Sequence, residues 1–195
     1  MSRDSMHERQ LYNKYNPGQH WKKHPTTYSE TFANFLKKRQ FSGLLVDVGC
    51  GDGRDVNLFN NSGFTVTGVD YSKEQIKADK KSFPKLSFEV QNVEHLKFKD
   101  ESIDAFYMIN VIHYVNKEKA IQEIYRALKH HGFLFIHFNT DIIDKHGRVD
   151  YHHETKDILK LVSEFKIVNK RLFERTDSLP VEHTHQIMEL ILEKL

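Results

Sequence analysis

The chain is poor in the residues that staple, span or steer. It has one cysteine, four prolines and one tryptophan among 195 residues. A lone Cys50 cannot close an internal disulfide, which excludes a disulfide scaffold and agrees with a reducing compartment. No apolar run approaches the roughly 20 residues of a membrane span, so no membrane segment is expected. The start, Met1-Ser2-Arg3-Asp4-Ser5, lacks the apolar core of a secretory signal, which makes a cytoplasmic protein the expectation. Charge of one sign is missing too. With neutral histidines the net charge is +2, too weak to argue for nucleic acid by itself. No repeats or low-complexity segments interrupt the chain.

What is present suits one domain. Charged residues make up 29 % and apolar residues 38 %, ordinary for a soluble globular protein of a length that buries a full core. The organising stretch is Leu44-Leu45-Val46-Asp47-Val48-Gly49-Cys50-Gly51-Asp52-Gly53-Arg54-Asp55. It reads as a buried strand that runs through three alternating glycines into a helix. Gly49, Gly51 and Gly53 remove every Cβ that would hinder positive φ or the close approach of a ligand. The helix behind them offers unpaired N–H groups. Such a turn suits a nucleotide-like ligand.

Two ligand classes use it. Dinucleotide folds carry G-x-G-x-x-G, whereas here the spacing is G-x-G-x-G, one residue short. Asp47, two residues before the first glycine, would repel a pyrophosphate and could pair with an amino group. A nicotinamide oxidoreductase is disfavoured on both counts.

Val46-Asp47-Val48-Gly49-Cys50-Gly51-Asp52-Gly53 resembles motif I of the class I S-adenosylmethionine-dependent methyltransferases. The resemblance runs in ordered motifs over about residues 44–138. It implies a Rossmann-like, doubly wound α/β fold with a seven-stranded sheet, mostly parallel with an antiparallel strand seven, in the order 3-2-1-4-5-7-6. It further implies S-adenosylmethionine as the methyl donor and S-adenosylhomocysteine as the product. Asp70, at the carboxyl end of the second strand and 17 residues past Gly53, matches the motif II acid that accepts the ribose hydroxyls. The resemblance also places Asp47, Gly49, Cys50, Gly51, Arg54, Tyr71, Asn92, Val93 and Asn110 around the donor. Arg54 would face the donor carboxylate and Tyr71 the adenine edge. Asn92-Val93 stands where many relatives carry an aspartate and an apolar residue to read adenine. Cys50 reads as a small residue in a tight space.

The residues after the fourth strand bear on the acceptor. Asn110-Val111-Ile112-His113-Tyr114-Val115 contains neither the Asn/Asp-Pro-Pro-Tyr/Phe run of exocyclic-amine DNA methyltransferases nor the Pro-Cys of cytosine-C5 enzymes. It is similar to the corresponding run of small-molecule and quinone methyltransferases. Trp21 followed by Pro25 resembles the entry of tellurite- and thiopurine-type enzymes. His113, Tyr114, His183 and His185 are candidate catalytic groups, since a methyl acceptor can need a base near neutral pH. No dedicated catalytic residue is required, because the donor is reactive on its own.

The histidines raise a metal question, there being 13 of them. Tight cysteine pairs and H-E-x-x-H are both missing from the sequence, so no metal site is expected.

Four helices are predicted after the glycine turn, at 55–61, 73–82, 118–131 (closed by Gly132) and 155–162. Further strands are expected at 64–70, 86–90, 102–110, 133–138, 165–173 and 184–192. Ahead of the first strand, an amphipathic segment from Tyr28 to Arg39 belongs to an N-terminal helical lid over residues 1–40, with the core at 41–195. Tyr12, Tyr15 and Trp21 fall in that lid. The expected function is methyl transfer to a small-molecule acceptor by a monomer or homodimer. Alternatives are a tRNA or protein methyltransferase, for which Lys22, Lys23, Lys37, Lys38 and Arg39 would be a basic patch, and a catalytically silent donor-binding module.

Overall fold

A parallel sheet forms because its strands are apolar on both faces. In the computed structural model, which describes residues 26–178 and 181–195, β1 (Leu44–Val48) pairs in parallel with β2 (Thr65–Asp70) on one side and β4 (Ile103–Ile109) on the other. β3 (Ser87–Val90) extends the β2 edge, and β5 (Leu128–Asp144) extends β4, both in parallel. The last long strands, β7 (Phe165–Asp177) and β8 (His183–Lys194), form an antiparallel hairpin, with β8 inserted between β5 and β7. The order is β3-β2-β1-β4-β5-β8-β7, the topology expected from sequence with one addition. The short strand β6 (Val149–His152) folds back on the end of β5, in a stretch with no strand pattern of its own.

Helices cover both faces, and alternation along the strands decides which residues meet which helix. α1 (Thr27–Lys38), α2 (Arg54–Asn61) and α3 (Lys73–Ser82) lie on one face, over Leu45, Ala105, Tyr107 and Phe135. α4 (Lys117–Ala127) and α5 (Thr155–Leu161) lie on the other, over Val46, Phe106, Met108, Leu134 and Ile136. Phe32 of α1 is fully buried, stacked on Tyr107 at 6.0 Å and tilted on Phe135 at 5.3 Å. A buried phenylalanine of this kind contributes about 2–3 kcal/mol. α1 is therefore part of the core as well as the segment preceding the glycine turn. The proposed lid residues Tyr12, Tyr15, Trp21, Lys22, Lys23 and Pro25 lie outside the described residues.

Caps fix the helix starts. Thr26 accepts from Ser29 N at 3.2 Å, Ser72 from Gln75 N at 3.1 Å, and Asn116 from Lys119 N at 2.9 Å. The boundaries that differ most from expectation are those of β5, expected at 133–138 and found at Leu128–Asp144. The helix expected to run to His131 and close on Gly132 ends at Ala127, and Leu128 to His131 are already strand. Tertiary contacts outweigh the helix-permissive composition there. Leu128 pairs with Ile103, Lys129 Nζ reaches Asp104 Oδ1 at 2.7 Å, and His130 Nε2 lies 3.0 Å from Glu101 Oε1. Gly132 is a packing glycine, since a Cβ on it would stand 2.9 Å from the Asp104 carbonyl oxygen.

Candidate functional site

The glycine turn lies at the carboxyl ends of β1 and β2, the edge where open α/β sheets bind ligands. Gly49, Gly51 and Gly53 all have positive φ, between 53° and 71°. A Cβ on Gly49 would strike Val111, and one on Gly53 would stand 2.8 Å from the Phe88 ring. A Cβ on Gly51 would meet no atom of the described residues within 4 Å. Gly49 N and Cys50 N both donate to Val69 O, which locks the turn onto the end of β2. Cys50 is buried beneath it, and burial pushes its thiol pKa far up. That state is unreactive and agrees with a small residue in a tight space.

Carboxylates surround the turn. Asp70 is held by two backbone donors, Gly51 N to Oδ2 at 3.2 Å and Ser72 N to Oδ1 at 2.9 Å. Each oxygen keeps a lone pair for a further donor, such as a diol. Asp47 is buried inside β1, and its Oδ2 has no hydrogen-bond partner among the described residues. Burial first, then the negative charge of Asp55, raise its pKa well above the ordinary carboxylate range; Arg54 opposes them, and Asp70 and Asp52 each add less. A buried, unpaired carboxylate among like charges calls for a cation. Asp55 is satisfied within the protein. It accepts from Thr26 N at 3.0 Å and Ser29 Oγ at 2.9 Å, so it ties the start of α1 to the first turn of α2. Thr26 Oγ1 also meets the Tyr107 hydroxyl at 2.9 Å.

The remaining sequence-derived donor residues are placed unevenly. Arg54 is half-buried at the α2 start, with Nε 4.0 Å from Asp55 Oδ2. Val93 is buried and Asn92 exposed, and Asn92 Oδ1 caps the local turn by accepting from Glu94 N at 3.0 Å. Tyr71 is 74 % exposed. Asn110, at the end of β4, has φ of 54° and a buried Oδ1 without a hydrogen-bond partner, a strained polar residue facing the same edge.

The candidate catalytic groups separate into two places. His113 sits in a 3-10 turn after β4, buried, and its Nε2 accepts from Asn139 N at 3.2 Å. Burial, helped by the charges of His153 and Lys117, pushes its pKa down to about 3. A neutral ring with its lone pair engaged is poorly set up to take a proton. Tyr114 is 45 % exposed at the rim, 6.1 Å from the His113 ring. His183 and His185 lie elsewhere, buried at the tip of the β7–β8 hairpin beside Asp177.

Between these places is a cluster that sequence reasoning missed. The Tyr28 ring lies 4.1 Å from the His137 ring and 6.2 Å from Phe173, and Arg175 Nη1 donates to its hydroxyl at 3.1 Å. His137 is buried against Glu189 at 3.4 Å, and burial lowers its pKa. A cavity of about 450 Å³ opens on the far ends of β5–β8, lined by Thr140, Asp141, His152, His153, Phe173 and Gln186 among others. No residue of the glycine turn lines it.

Residues 46–136 match the family model described as a methyltransferase domain. An uncharacterised protein of Methanocaldococcus jannaschii is 37 % identical over 102 residues, spanning 52 % of this chain and 42 % of that protein. TehB from Haemophilus influenzae has the same fold, with a TM-score of 0.69 at 12 % identity over 96 % of this chain and 67 % of the other. Geranyl diphosphate C-methyltransferase from Streptomyces coelicolor A3(2), solved with Mg2+, geranyl diphosphate and S-adenosylhomocysteine, has a TM-score of 0.64 at 15 % identity over 85 % and 79 %. The chain spans about two fifths of the length of the first curated relatives it matches.

Proposed function

We propose that this chain, whose residues 46–136 match a methyltransferase-domain model, takes S-adenosylmethionine as methyl donor and methylates a small-molecule acceptor by direct in-line displacement. One observation carries the choice of donor: the buried, unpartnered Oδ2 of Asp47 among Asp52, Asp55 and Asp70. The field there suits the α-ammonium and sulfonium charges of an adenosyl donor and opposes the pyrophosphate of a dinucleotide.

Each residue then has a task. Asp47 would accept from the donor's ammonium, and Asp70 from the ribose hydroxyls through the lone pairs its two backbone bonds leave free. Gly51 keeps the space against the turn clear. The buried Val93 would pack against the adenine, and Asn110 would turn its unpaired oxygen to the same ligand. When bound, the sulfonium supplies the electrophilic methyl group, so the protein's work is to position an acceptor in line with it and exclude water. His113, Tyr28 and His137 would wall the acceptor side with neutral or aromatic surfaces. The cavity beyond them has the size of a small-molecule site, which supports an acceptor of that class.

The test is transfer of label from methyl-labelled S-adenosylmethionine. The purified chain is offered pooled small molecules, total RNA and total protein separately. Label in the small-molecule fraction supports the reading. Label confined to RNA or protein overturns the acceptor class, and donor binding without transfer to any fraction identifies a silent module.

A further inference from the structure

The tip of the β7–β8 hairpin brings three metal-ligating side chains together, away from the glycine turn. Strand register pairs Asp177 with His183 and Arg175 with His185. Period-two alternation then sets all four on one face of the hairpin. One ligand atom from each of Asp177, His183 and His185 lies within 4.8 Å of the other two. Asp177 Oδ2 stands 3.3 Å from His185 Nε2 and 4.0 Å from His183 Nε2, and the two imidazole rings are 4.7 Å apart. Both rings are more than nine-tenths buried, whereas Asp177 is half-buried.

The ring orientations suit ligation. His183 Nδ1 donates to the Val181 carbonyl at 2.7 Å, and its Nε2 stands on the side of Asp177. A backbone carbonyl that fixes the tautomer in this way is the usual outer-shell partner of a metal-binding histidine. His185 reaches Asp177 through Nε2, and its buried Nδ1 has no hydrogen-bond partner among the described residues. Asp177 is held by Arg175, whose Nε and Nη2 donate to Oδ1 and Oδ2 at 3.0 and 2.9 Å.

We propose that Asp177, His183 and His185 form a binding site for a divalent transition-metal ion, with Zn2+ the best match to two imidazoles and one carboxylate. Arg175 plays the outer-shell role for the carboxylate. Its positive charge opposes the ion, which sets the expected affinity at micromolar rather than tighter. Through Arg175 and Tyr28 the site connects to His137 and to the carboxyl end of β5, where the proposed acceptor would lie. The site rests on the hairpin alone and does not depend on the choice of methyl donor.

The test uses the full chain, stripped with chelator and titrated with Zn2+ by calorimetry, with Co2+ absorption as a second reading. One ion per chain is expected, together with a raised Tm. His183→Ala and Asp177→Asn should each weaken binding about tenfold or more, while His146→Ala, in an exposed turn, leaves it unchanged. Where a variant does not fold, long-range 1H–15N NMR of the wild type reads the ligands directly. Zn2+ should then move the imidazole nitrogens of His183 and His185 and leave the other histidines in place. Absence of saturable uptake by the folded wild type, uptake that survives both variants, or shifts confined to other histidines would each overturn the site.

Discussion

Asp47→Asn should make the protein more stable and worse at its task. The substitution keeps the shape of a buried side chain and removes only its charge. In the wild type that charge is desolvated, its Oδ2 lacks a hydrogen-bond partner, and Asp55, Asp70 and Asp52 repel it. Removing it should stabilise the ligand-free protein by about 1 kcal/mol or more. For a chain of this length that corresponds to a rise in Tm of roughly 2–4 °C. The sign of the pH dependence follows from the raised pKa. A carboxyl that holds its proton more tightly when folded stabilises the fold at low pH, and that contribution is lost as pH rises through its folded pKa. The gap between variant and wild type should therefore be small near pH 4 and widen toward pH 8. Donor binding should move the other way. Loss of a charge-assisted contact to the ammonium costs about 1.5–3 kcal/mol, or roughly ten- to 150-fold in Kd. Differential scanning fluorimetry across pH and calorimetry with S-adenosylhomocysteine read the two effects. A variant that is less stable than wild type without ligand, or that binds the ligand equally well, would refute the reasoning.

Gly51→Ala separates the backbone from the cleft. Among the described residues a Cβ there meets no atom, so the expected stability cost is that of the φ of 53°, about 1 kcal/mol, read by chemical denaturation. The methyl group fills space against the turn, so S-adenosylhomocysteine affinity should fall much further than stability does. Burial lowers the His113 pKa from 6.5 to about 3, so the fold should lose stability as pH falls through that window, by at most ~1.4 kcal/mol per unit. In His113→Gln that acid-sensitive contribution should disappear from denaturation curves taken between those pH values. Arg126 joins Glu123, Asp100 and the carbonyls of Leu96 and Phe98. Arg126→Ala should therefore cost about 1–3 kcal/mol by urea denaturation, without changing ligand affinity.

The glycine-turn half of the candidate site was legible because its residues are contiguous. Val46 to Gly53 and Asp70 sit on a strand, a turn and the next strand, so period and spacing alone place them at one sheet edge. The polar network beneath them was harder to read. Asp55 lies in the same stretch, yet its partners Thr26 and Ser29 come from the preceding helix. The cluster of Tyr28, His137 and Arg175 was not legible for a related reason. Tyr28 and Arg175 meet across 147 positions, and His137 joins them from a strand that reads as plain core. Asp177 and His183 become neighbours only through hairpin register, which is why no metal-ligand spacing was visible along the chain. The helix end at Ala127 was misplaced for the same kind of reason. Lys129, His130 and His131 are compatible with a helix, and only pairing with β4 and contacts to Asp104 and Glu101 make them strand.

The central claim is that the glycine turn and its carboxylates hold an adenosyl methyl donor. Calorimetric titration of S-adenosylmethionine, S-adenosylhomocysteine and NAD into the wild type and Asp70→Ala tests it most directly. Micromolar binding of both adenosyl ligands and no binding of NAD are predicted for the wild type, with the adenosyl affinity lost in the variant. Binding of NAD in their place, or adenosyl binding that Asp70→Ala leaves intact, would contradict it.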